Sequence, residues 1–205
     1  MPPKKPQAPL SAKLQPNPPR KPKNIERRSR EYLTDLEIEK LRKAAKSTGR
    51  HGTRDDALIL LMFRHGLRVS EIITLRWEQV DLQKGLLHVT RLKNGLPATH
   101  PLRGVELRIL RQLLRHYDSP YVFVSERKAP LTDRSVRHIV QRAGQEAKLK
   151  FPIHPHMLRH STGFYLANKG EDTRAIQSYL GHANIKNTVI YTQLSPQRFK
   201  NFWKD

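Results

Sequence analysis

The chain has 205 residues, enough for one sizeable domain with its own core and a tail. A formal charge of +21, from 39 Lys and Arg against 18 Asp and Glu, points to a polyanionic partner, nucleic acid before an anionic membrane surface. Cysteine is absent, which excludes disulfides, thiolate nucleophiles and cysteine-based zinc sites; no apolar run reaches the length of a membrane span, and the N-terminus lacks the apolar stretch of a secretory signal.

In chain order, residues 1–30 stand apart. Nine Lys and Arg face one acid, Glu26, and eight prolines lie between Pro2 and Pro22. Such a segment buries almost nothing apolar, so a disordered basic arm is expected, either solubilising the chain or tracking phosphates. The ordered domain, 31–205, begins near Tyr32. Thr34 and Glu37 form a capping box for a first helix with Leu36, Leu41, Ala44 and Ala45 on its apolar stripe. A second helix, Ala57–His65, is apolar nearly all round and stops at Gly66, which predicts a central core helix. Ser70 is placed to cap a third, short helix through Leu75. Gly85–Arg91 alternates as a strand, Asn94-Gly95 is a hairpin turn, and Ala98–Leu102 returns. A helix over 104–116 and a short strand at Tyr121–Val124 follow. Thr132–Ala147 is amphipathic, with Val136, Ile139, Val140 and Ala143 on one face and Arg134, Arg137, Gln141 and Arg142 largely on the other. From 156 onward the chain reads as short helices. There is no internal repeat, and the fold class is mainly α with a small antiparallel sheet.

Six residues in this frame carry chemistry: Arg68, Lys93, His156, Arg159, His182 and Tyr191. A phosphodiester repels nucleophiles, and a pair of guanidinium forks answers that by gripping its non-bridging oxygens without losing charge. Arg68 follows the Gly66 helix stop, and Arg159 lies one turn after His156 on the same face. A tyrosine hydroxyl titrates at about 10, so it needs a base and nearby positive charge to attack at neutral pH. His156 is the candidate base, and His182 would bind the phosphate or position the phenol of Tyr191. Lys93, beside the Asn94-Gly95 turn, is placed to protonate a leaving 5′ oxygen; Lys84 competes but precedes the strand. Exchange of one phosphoester for another needs neither ATP nor a metal, and the catalytic work is electrostatic.

The strings HGLRVSEIITLRW (65–77), HPHMLRHSTGFYLANKG (154–170) and YLGHANIKNTVIYTQL (179–194) resemble the tyrosine recombinase (phage integrase) family over about residues 31–200. The resemblance implies the family's mixed, mainly helical catalytic fold, shared with type IB topoisomerases. It implies DNA cleavage by Tyr191 to a 3′-phosphotyrosine, and strand exchange in a homotetramer on double-stranded DNA, inside the cell at the nucleoid, without cofactor or membrane. Arg68 and Arg159 become the phosphate clamp, Lys93 the acid, His156 the acid/base and His182 an assistant at the phosphate. Glu71 would brace Arg68. Most members carry a separate helical domain before the catalytic one; here a basic stretch of thirty residues stands in that place, so the chain resembles the minimal type that includes the fimbrial phase-variation invertases. The basic face of 132–147 either enters the major groove, with Arg134, Arg137 and Gln141 as readers or phosphate contacts, or is simply a solvated face. The stretch 195–205, with Phe199, Phe202 and Trp203, would dock on a neighbouring protomer or on its own domain.

Three rival readings share these residues. One is a relaxing topoisomerase with the same chemistry. Another is a catalytically silent DNA-binding protein, against which the intact set of six argues. The third is a metal hydrolase on His154, His156, His160 and His182, which lacks an HExxH string and a nearby carboxylate base.

Overall fold

The computed structural model describes residues 30–91 and 95–199. The expected arm over 1–30 lies outside the described residues except for Arg30, as do Lys93, Asn94, Phe202 and Trp203. The elements are α1 (Asp35–Ser47), α2 (Gly52–His65), α3 (Val69–Ile73), β1 (Val80–Asp81), β2 (Leu86–Val89), β3 (Ala98–Pro101), α4 (Gly104–His116), α5 (Asp133–Glu146), α6 (Pro155–Asn168), α7 (Thr173–Leu180) and α8 (Lys186–Leu194), with 3-10 turns at Trp77–Gln79 and Pro196–Phe199. The result is a mostly helical domain with one antiparallel sheet in the order β1-β2-β3. Among the described residues no helix is long and apolar enough to cross a membrane.

The start of α1 is set by the capping box. The Thr34 hydroxyl accepts from the Glu37 N–H at 3.4 Å, and the Glu37 carboxylate accepts from the Thr34 N–H at 2.8 Å. The buried stripe is Ile38, Leu41 and Ala45; Leu36, expected on it, is 77% exposed. Five residues before Leu41, it lies about 140° around the helix from that stripe.

At the centre of the core sits α2, with every residue from Ala57 to Met62 buried. It begins at Gly52, five residues earlier than the apolar run indicates. Its polar first turn is buried by pairing: Arg54 and Arg142 both donate to Asp55, at 2.7 and 2.8 Å, and Arg42 donates to Asp56 at 2.8 Å. Arg142 is thereby turned inward, away from the basic face of α5. The helix stops at Gly66, whose φ of 57° is left-handed; a Cβ there would stand 2.4 Å from Leu180 Cδ2, so only glycine permits both the turn and the approach of α7.

Arg68, rather than Ser70, caps α3: the Glu71 carboxylate accepts the Arg68 N–H at 2.9 Å, and Ser70 lies inside the first turn. The helix ends at Ile73, short of Leu75. The strands β2 and β3 are shorter than their alternation indicates, and β1 adds a third. Tyr121–Val124 is not a ladder strand. Val122, Phe123 and Val124 are buried, but the segment makes only single bridges, Arg76 to Tyr121 and Val124 to Pro130. An apolar run this short reports burial without fixing pairing. The helices α4 and α5 stand where expected, α5 capped by the Thr132 hydroxyl. In the C-terminal region α6 is a full 14-residue helix rather than a short one. It packs on α2, with α7 and α8 packed against it. The end of α2, the first turns of α6, the end of α7 and the middle of α8 therefore converge.

Candidate active site

The structure joins the cationic side of the site through shared acceptors. Arg68 donates to one Glu71 oxygen at 2.6 Å, and Arg91 donates to the other at 2.8 Å. Arg91 continues to the carbonyls of His65 at 3.1 Å and Tyr179 at 2.7 Å, and more weakly to Gly66 at 3.4 Å. Arg159 donates to that same Gly66 carbonyl and to the Leu180 carbonyl at 2.7 Å. Burial pushes the Glu71 carboxyl up, but the Arg68 N–H, the Arg91 charge and the Arg68 side chain outweigh it and hold the group below the usual carboxylate range. Burial, helped by the charges of Arg68 and Arg91, lowers Arg159 to about 9, so it stays charged at neutral pH. Arg68 retains 27% side-chain exposure, whereas Arg91 has none.

The nucleophile side is aromatic. Tyr191, in the middle of α8, is 2% exposed. Its hydroxyl lies 3.1 Å from His160 Nδ1, and its ring packs edge-on against Phe164 at 5.2 Å and stacks on His182 at 6.3 Å. Gly163 makes room for it, since a Cβ there would stand 2.5 Å from the tyrosine ring. Pro155 starts α6, so His156, Arg159 and His160 fall on one face, and the rings of His156 and His160 meet edge-on at 4.5 Å. His182 follows the left-handed Gly181 and fixes its Nδ1 on the Thr188 hydroxyl at 2.8 Å. Which partner donates depends on the tautomer.

On the nucleophile side His156, His160, His182 and Tyr191 are all pushed towards neutrality. Burial, then the charges of Arg159, Arg68 and Arg91, lower His182 to about 3. Burial, then His156 and Arg159, lower His160 to about 4. His156 keeps an exposed edge and is lowered too, by loss of solvent first and by Arg159 next. Burial pushes the Tyr191 phenol up to about 12, against the opposing pull of Arg159 and Arg68. The Arg68 charge reaches three of these four groups, His156, His182 and Tyr191.

Of the six residues singled out in the sequence, the structure gathers Arg68, His156, Arg159, His182 and Tyr191; Lys93 lies outside the described residues. Glu71 holds Arg68 from both its backbone and its side chain. On α5, Arg134, Arg137 and Gln141 are exposed, with Arg137 paired to Asp133. Phe199 ends the last 3-10 turn, half exposed. Sequence reasoning missed Arg91 as a site residue and named His160 only as a ligand in the rival metal reading. Arg91 read as the end of a strand, and nothing local distinguishes an arginine whose acceptors are mostly backbone carbonyls of distant elements. His160 had a signal: four residues after His156, it had to share that residue's helix face. Among the described residues no group of three or more His, Cys, Asp or Glu is arranged to hold a metal ion.

A model of the phage integrase family matches residues 31–198. The type 1 fimbriae regulatory protein FimB of Escherichia coli (strain K12) is 46% identical over 182 residues, covering 86% of this chain and 90% of that protein. Tyrosine recombinase XerC of Bacillus subtilis (strain 168) is 37% identical over 186 residues, covering 86% of this chain and 61% of that protein. A crystal structure of XerA recombinase superposes with a TM-score of 0.74 at 27% identity, so that 85% of this chain spans 65% of that one.

Proposed function

Because this chain belongs to the phage integrase (tyrosine recombinase) family, we propose that Tyr191 cuts and rejoins double-stranded DNA at a phosphate gripped by Arg68 and Arg159. The protein is a site-specific DNA recombinase. The observation that carries the assignment of roles is the phenol itself: it is hydrogen-bonded to His160, on the helix that also bears Arg159, and it lies within the field of both arginines.

In the proposed step the Tyr191 oxygen bonds to phosphorus and the bond from phosphorus to the 5′ oxygen breaks. The phenol proton passes to the neutral pair His160 and His156, and Lys93 supplies the proton that the 5′ oxygen takes. The products are a 3′-phosphotyrosine and a free 5′ hydroxyl. A 5′ hydroxyl from another duplex reverses the step and exchanges the strand. One ester replaces another, so the balance calls for neither ATP nor a metal ion. His182, held on Thr188, keeps its remaining ring nitrogen for the phosphate or the phenol. Positive charge matters most as the phosphorus becomes pentacoordinate and gains negative charge, which is why the clamp acts on rate more than on binding.

Around this centre, exposed Arg134, Arg137 and Gln141 on α5 would meet the major groove, and the basic arm over 1–30 would add phosphate contacts. Four protomers would hold two duplexes, the C-terminal stretch of each docking on its neighbour, and the protein would act in the cytoplasm at the nucleoid. Simple relaxation of supercoils fits the same chemistry but not the similarity to FimB and XerC, both of which match over most of this chain.

The test is a suicide substrate, nicked so that the cleaved strand end diffuses away, followed by a denaturing gel. The expected result is a covalent protein–DNA adduct that is absent in Tyr191→Phe. An adduct of equal yield in that variant overturns the assignment of the nucleophile.

A further inference from the structure

We propose that Arg91 is a positioning residue that sets the charge of the phosphate pocket: by neutralising Glu71 from behind, it leaves Arg68 free to act with Arg159 on the scissile phosphate. The inference rests on the clamp reading of Arg68 and Arg159. Arg91 itself has a side chain with no exposure and cannot touch DNA.

The bonding pattern is specific. Glu71, buried, offers one oxygen to Arg68 at 2.6 Å and the other to Arg91 at 2.8 Å. A carboxylate paired with Arg68 alone would cancel it, and the pair would present no net charge to a phosphate. With Arg91 added, three guanidiniums and one carboxylate leave two positive charges in a cluster joined by Glu71 and the Gly66 carbonyl. A phosphodiester carries one negative charge, and the pentacoordinate phosphorus on the way to the phosphotyrosine carries two. The cluster therefore matches the transition state rather than the ground state, the condition for accelerating a reaction instead of merely binding its substrate. Position reinforces charge. The Arg91 fork ties the carbonyls at the end of α2 (His65, Gly66) to that of Tyr179 at the end of α7. Arg159 rests on the adjoining carbonyls, Gly66 and Leu180.

The experiment uses the full chain, a suicide DNA substrate with an ordinary scissile phosphate, and a second substrate whose scissile group is a methylphosphonate. The methylphosphonate is neutral at rest and singly charged at the transition state. Arg91→Met is expected to bind the ordinary substrate within about threefold of wild type yet to form adduct about 100-fold more slowly. On the methylphosphonate, where one positive charge suffices, the deficit should shrink to about tenfold or less. The paired variant Glu71→Gln with Arg91→Met restores two positive charges and should recover at least about tenfold of the lost rate on the ordinary substrate. Circular dichroism and thermal melts check folding; if Arg91→Met does not fold, the paired variant against wild type on both substrates carries the test. Equal losses on both substrates with no recovery in the paired variant overturn the proposal and leave Arg91 a scaffold. No adduct from wild type itself overturns the underlying clamp reading instead, so the two failures are distinguishable.

Discussion

The two sides of the pocket are built on opposite principles. Around Gly66 the site is made of permanent charge: Arg68, Arg91 and Arg159 are held by one carboxylate and by carbonyls at the ends of α2 and α7. Around Tyr191 it is made of neutral rings, with Phe164, His160 and His182 packed against the phenol. Guanidiniums keep their charge whatever their surroundings, so they can be buried and preorganised before DNA arrives. A tyrosine has to stay protonated until its phosphate is in place, and burial among neutral histidines keeps it so. The grip is ready in advance, while the nucleophile is held in reserve.

Arg159→Lys breaks the charged side at the largest cost. Lysine keeps the charge but, as a compact ammonium, cannot hold the Gly66 and Leu180 carbonyls and a phosphate in one plane. Adduct formation is expected to fall about 10²–10³-fold, with DNA binding little changed. Near wild-type cleavage would show that charge alone suffices and that the carbonyl frame is incidental. Gly163→Ala breaks the aromatic side more gently. The new methyl would stand 2.5 Å from the Tyr191 ring, so the ring has to shift. Overpacking of this kind costs about 1–3 kcal/mol of stability, and a misplaced nucleophile costs about 10²-fold in rate. Melting curves and single-turnover cleavage measure the two separately. A destabilised enzyme that cleaves normally would mean that Tyr191 leaves this seat before it attacks.

The same division governs what was legible in the sequence. Two local signals are borne out, Thr34 and Glu37 boxing the start of α1 and Gly66 ending α2, while the Ser70 cap is not, because Arg68 takes that position. Helical spacing correctly placed His156 and Arg159 together, and by the same arithmetic it had already implied His160. What escaped was fixed by tertiary contact. The polar first turn of α2 is helical because Arg42 and Arg142 reach in from α1 and α5. Tyr121–Val124 is buried without a neighbouring strand to pair along it. Arg91 gains its role from residues as distant in sequence as Tyr179, 88 positions away, and no local pattern encodes that.

Acid is the mildest way to separate the two sides, because their groups titrate in different windows. His160 and His182 fall from an ordinary value of 6.5 to about 4 and about 3. The unfolded chain therefore takes up protons below 6.5 that the folded protein refuses. These histidines contribute stability that is full above about 6.5 and is lost as pH falls towards their folded values. Glu71, lowered from 4.5, begins to lose its contribution only below that value. Between pH 7 and pH 5 the melting temperature should drop by roughly 10 °C, driven by the rings and not by the arginine frame. His182→Gln, which retains a hydrogen-bonding partner for Thr188, should flatten that slope, whereas Glu71→Gln should leave it unchanged above pH 5 and alter it only in stronger acid. A slope that Glu71→Gln flattens between pH 7 and 5 would place the acid sensitivity in the charged frame and undo the division between the two sides.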